Sequence, residues 1–180
     1  MNADEFWTLI ERARAMSGDP ADTEDVAERA AVLLAGYAPR DILGAERILH
    51  ELMATSDRPP LWAAAWIVSG RGSFADEGFD YFRGWLIAQG RVVFESIVAD
   101  ADRLAGLPEI HASAPEPIEP DGEEILGIAR DAYGRATGAE LPEDVLTPDV
   151  PASEADPGSV LDDRERMTPL LPRLTALYPG

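Results

Sequence analysis

Between Gly70 and Arg91 the sequence GRGSFADEGFDYFRGWLIAQGR gathers acids, arginines and large aromatics. Asp76, Asp80, Arg83 and Arg91 are the residues whose types suit chemistry. A pair of carboxylates orients a cation or acts as a general base, and an arginine fork holds a carboxylate bidentately. Gly70, Gly72 and Gly78 would let a loop backbone come close to a small ligand. Trp85, and Trp62 from the apolar stretch before it, are candidates for the floor of such a site. At ~100° per residue, Phe79, Phe82 and Leu86 share one helical face, with Tyr81 and Trp85 nearly opposite. Asp76, Asp80, Arg83 and Arg91 fall in a third sector, beside Ile87. A helix with two apolar sides is sandwiched between neighbours. Its charged sector is then partly buried or lines a cleft.

The same residues also have a purely structural reading. Asp76, Glu77 and Asp80 suit the positive end of a helix dipole, and Asp80 and Arg83 are spaced to pair with each other. Ser73 with Asp76 has the form of a capping box. Trp62, Trp66 and Trp85 at helical spacing are the mark of a core. Familiar catalytic and metal patterns are missing. His50, between Glu46 and Glu51, and His111, in a proline-rich stretch, form no recognisable ligand spacing, so neither a metal nor a cofactor is expected. The run Ser69–Ser73 is glycine-rich but has no P-loop lysine and follows no strand, and there is no G-x-S-x-G elbow.

Helical periodicity runs through most of the chain. Asn2 or Asp4 is placed to cap a first helix burying Phe6, Trp7, Ile10 and Ala13, which Gly18-Asp19-Pro20 stops. A second helix is expected after Thr23, ending at Gly36, and a third from Pro39 up to the break Asp57-Arg58-Pro59-Pro60. LWAAAWIVSG is apolar all round, as a buried helix is, with Gly70 as its cap. A fifth helix is expected from about Glu77 to Gln89. Gly90 breaks it, and VVFESIV continues as a sixth helix rather than a strand. Ala105 to Gly122 reads as a connector, and EEILGIARDAYGRATG as a helix. From Leu141 to Ser159 prolines and acids dominate, and a short helix beginning at Thr168-Pro169 is expected to dock its leucines on the body. The fold class is all-α: a compact bundle of roughly six to eight helices over residues 1–140, with an acidic, proline-rich C-terminal arm over 141–180.

The formal net charge is -19, and all 15 basic residues are arginine. Such a surface repels phosphate backbones and anionic lipid, so no direct nucleic-acid or membrane binding is expected, and cationic partners fit better. The absence of cysteine removes disulfides, thiol catalysis and cysteine-based zinc sites together. The acidic start MNADEFW has no signal-peptide pattern, and no uncharged apolar run reaches ~20 residues, so a soluble cytoplasmic protein is expected.

Three stretches also carry a resemblance: DEFWTLIERAR, then LWAAAWIVSG, then DEGFDYFRGWLIAQGRVVFESIVAD. Together they resemble the bacterial family known as domain of unknown function 4240, over roughly residues 3 to 140. The resemblance implies no assigned activity. Members that sit beside WGR-type domains imply a regulatory or nucleic-acid context, which the acidity of this chain opposes. The reading adopted is a soluble, non-catalytic binding or regulatory module that uses a surface near Gly70–Asp76. Its expected partner is a small molecule or a protein. The alternative is a metal-independent enzyme acting on a small charged metabolite through Asp76, Asp80, Arg83 and Arg91.

Overall fold

The structure is a computed structural model, and it describes residues 1–70, 76–142 and 169–179, with Asp76 described by its backbone only. Among these residues every regular element is a helix. The helices are α1 (Ala3–Met16), α2 (Thr23–Leu34), α3 (Pro39–Ser56), α4 (Pro59–Val68), α5 (Asp76–Ala88) and α6 (Arg91–Ala99). A 3-10 helix (Ala101–Gly106) follows, then α7 (Pro108–Ser113), α8 (Glu123–Thr137) and α9 (Pro172–Leu177).

Local chemistry sets the helix ends. Asn2 and Glu5 form a reciprocal capping box at α1, which settles the choice between Asn2 and Asp4. Asp22, one residue earlier than expected, caps α2, and Thr23 is the first helical residue. That helix ends at Leu34 rather than Gly36. Pro39, Pro59, Pro108 and Pro172 each open a helix, where the missing N–H costs nothing. Gly70 and Gly90 follow α4 and α5 with φ of 80° and 89°, a backbone state that a side chain disfavours.

α8 is the central helix, packed against α2, α3 and α5, while α1 lies along α2. α5 also touches α2, α3, α4 and α6, so it bridges this bundle to the rest. The 3-10 helix gathers α4, α6, α7 and α9 around it. One continuous core runs through both parts, with Phe6, Phe79, Phe82, Leu86 and Ile125 fully buried.

One further expectation is corrected here. The stretch Ala105–Gly122 is not a bare connector: it holds the end of the 3-10 helix and all of α7, with Ile110 buried. At the C-terminus Pro169 and Leu170 are helical, Leu171 is a bend and α9 follows from Pro172, while Thr168 lies outside the described residues. The expected capping box of Ser73, the loop before α5 and most of the acidic arm lie outside the described residues.

Candidate functional site

α5 holds the candidate residues between layers. Trp62 from α4 stacks on Phe79, with ring centroids 4.0 Å apart. The Trp62 indole N–H donates to Asp57 Oδ1 at 3.3 Å. The Arg83 guanidinium lies 4.5 Å above the Phe79 ring. Its Nη1 donates to the Met53 carbonyl at 2.7 Å, and its Nη2 bonds Asp80. Arg83 is 9% exposed, and its Nε finds no acceptor. Asp80 is half exposed.

Arg91 is elsewhere. The wheel reading carried one helix through Gly90, but the positive φ there ends α5 and resets the phase. Arg91 opens α6 and joins Glu95 at 2.7 Å and Asp4 at 2.6 Å. Its backbone N–H meets Glu11. Thus Asp80 and Arg83 come together with Trp62 through Phe79, while Arg91 belongs to a different cluster on the α1–α6 face. The side chain of Asp76 lies outside the described residues.

Trp85, 6% exposed, packs against Phe82 at 5.6 Å between ring centroids, at the far end of the ring series Trp62–Phe79–Phe82–Trp85, and lines a second feature. Here α5 crosses the start of α8 backbone to backbone: a Cβ on Gly84 would strike the Gly122 carbonyl, and one on Gly122 would strike the Trp85 backbone. Beside this crossing is an open cleft of about 430 Å³. Its lining carries Trp85, Ile118 and six carboxylates: Asp22, Glu24, Glu109, Glu119, Asp121 and Glu124. Asp22 and Asp121 also accept local backbone N–H bonds. Burial raises the pKa of Glu109 above the ordinary glutamate value, against the pull of Arg14. Midway along α5 the Glu123 charge, aided by burial, raises the pKa of Tyr81. Sequence reasoning missed this cleft because Asp22 and Glu24 lie far along the chain from Glu109 and from the acids at 119–124; only their shared sign was visible.

A third polar feature lies between α3 and α8. The Oε2 atom of Glu46 is buried without a donor. Burial raises its pKa, and the nearby charges of His50 and Arg130 only partly offset this. Among the described residues no group of three or more histidine or acidic side chains is arranged to hold a metal ion. Nor is any helix among them long and apolar enough to cross a membrane.

An all-helical domain with a partly buried arginine–aspartate pair on α5 and an acidic cleft beside α8 is the class of protein that fold and geometry define. The sequence pattern of the family described as a protein of unknown function, DUF4240, matches residues 1–135, and the chain belongs to that family. No curated protein and no solved structure matches the chain.

Proposed function

We propose that the protein is a non-catalytic binding module. The observation that carries this reading is the use made of Arg83. Both terminal nitrogens of its fork are engaged inside the fold, by the Met53 carbonyl and by Asp80. An arginine so held ties α5 to the end of α3 rather than gripping a substrate. Arg91 is likewise engaged, by Asp4 and Glu95, on another helix. The cleft beside Trp85 supports a cationic partner, because its carboxylates and the net charge of -19 concentrate cations there.

The test is thermal-shift and calorimetric titration with small amines, guanidines and basic peptides, alongside phosphates and carboxylates. The expected result is a saturable rise in melting temperature with a cationic member at one site per chain. That rise should weaken with salt and with Glu109→Gln. A ligand present at 100 times its Kd would add about 2.7 kcal/mol.

The second reading, a metal-independent enzyme acting on a small charged metabolite, has one observation in its favour. Arg83 Nε is buried without an acceptor, beside a carboxylate that reaches solvent. A carboxylate or phosphate metabolite that stabilises the wild type but not Arg83→Lys would favour it over the binding module.

A further inference from the structure

The segment 169–179 lies beyond the family match, which ends at residue 135, while the described helices it packs on lie within that match. It sits against α4, the 3-10 helix and α7. Leu171, Leu174, Thr175 and Tyr178 are its buried residues. Their spacing is i, i+3, i+4 and i+7, the anchor pattern of a helix lying in a groove.

The polar contacts are equally specific. Asp102, 6% exposed, turns its carboxylate to the start of α9. There it accepts from the backbone N–H of Arg173 at 3.0 Å, from that of Leu174 at 3.0 Å and from Arg173 Nε at 3.2 Å. These are donors that the first turn of a helix leaves unpaired. At the other end the Tyr178 hydroxyl donates to the Ile110 carbonyl at 3.2 Å, with Ser113 Oγ 3.1 Å away. A cavity of about 250 Å³ remains under the entry of the segment, between Leu61, Val98, Ala101 and Leu171.

We propose that this groove is a peptide-binding site within the family domain, and that residues 169–179 are its exchangeable ligand in cis. Asp102 is the recognition residue. It selects a short helix that offers free N–H groups and an arginine in its first turn, followed by leucine and tyrosine anchors. The groove and the acidic cleft are separate surfaces, so this inference stands apart from the cationic-partner reading.

The test uses the full chain with a specific protease site placed between residues 150 and 160, cut after folding. A fluorescent peptide with the sequence of residues 169–180 is then added, and its anisotropy is followed. The cut protein should take up one peptide per chain. The uncut protein should do so at least about tenfold more weakly, because a tethered ligand competes at an effective concentration on the order of mM. Asp102→Asn in the protein should weaken uptake at least tenfold. So should Leu174→Ala in the peptide, a change that cannot disturb the fold of the domain. Retention of the original segment through gel filtration with no uptake would overturn the proposal, as would loss of helical circular dichroism on cutting. Uptake indifferent to both substitutions would overturn it equally.

Discussion

Arg83 is the residue on which the competing readings turn, and its environment predicts a stability effect. Replacing it with alanine removes its hydrogen bonds to the Met53 carbonyl, which keeps the Ser56 hydroxyl as a donor, and to Asp80. Hydrogen bonds made by a charged group contribute about 1.5–3 kcal/mol each, so Arg83→Ala should melt measurably lower with no ligand present. Unchanged melting would remove the structural role assigned here. Glu46 predicts a pH effect. Its pKa in the fold is raised above the ordinary 4.5, so between those two values the folded state holds more protons than the unfolded chain. The stability it contributes therefore falls as pH rises through that window, and the cost is fully present above it. Glu46→Gln should stabilise near pH 7 and make little difference near pH 4, as paired melts at the two pH values would show. A gain that is the same at both would mean that folding does not raise the pKa of Glu46.

The helices themselves were largely legible because their signals are local. An apolar stretch without a polar face is buried wherever it folds, and α4 is buried along nearly its whole length. Gly90 marked the end of α5 in the sequence too. The mistake was to carry the helical wheel across it, which placed Arg91 beside Arg83 when the chain puts it with Asp4. The 3-10 helix and α7 were hidden because six residues each are too few to show a period. The acidic cleft was hidden for another reason. Asp22, Glu109 and Glu119 meet only through tertiary packing, and no local pattern marks them. Gly84 also looked unremarkable in sequence, yet it lies where α5 meets Gly122. Gly84→Ala puts a methyl group against main-chain atoms, which cannot rotate aside. The expected loss is about 1–3 kcal/mol or more, read from chemical denaturation. A tolerated alanine would mean that the two helices can separate at little cost.

Across the whole molecule, charge and burial oppose each other. With a net charge of -19 the folded chain repels itself, although ion pairs such as Arg135 with Glu28 link separate helices. Raising salt from about 20 mM to about 300 mM shortens the screening length several-fold, so the melting temperature should rise. A fall would mean that the attractive pairs outweigh the excess of acids. Ending the chain at Pro142 removes Leu171, Leu174 and Tyr178 from the places they cover. Each large apolar side chain is worth about 1.5–3 kcal/mol when fully buried. The shortened protein should melt lower and bind a hydrophobic dye, and an identical melt would show that the docked segment adds nothing to the fold.

The meeting of Gly84 with Gly122 fixes more than stability. Main chain touches main chain there, so no choice of side chain sets the spacing between the Trp85 wall and the acids that flank Gly122. The slot has a fixed gauge. Substitutions along its rim can rewrite the sign and strength of its field while its width stays the same. Discrimination among ligands at that face would then evolve through charge, with size held constant by two residues that have no side chain to vary.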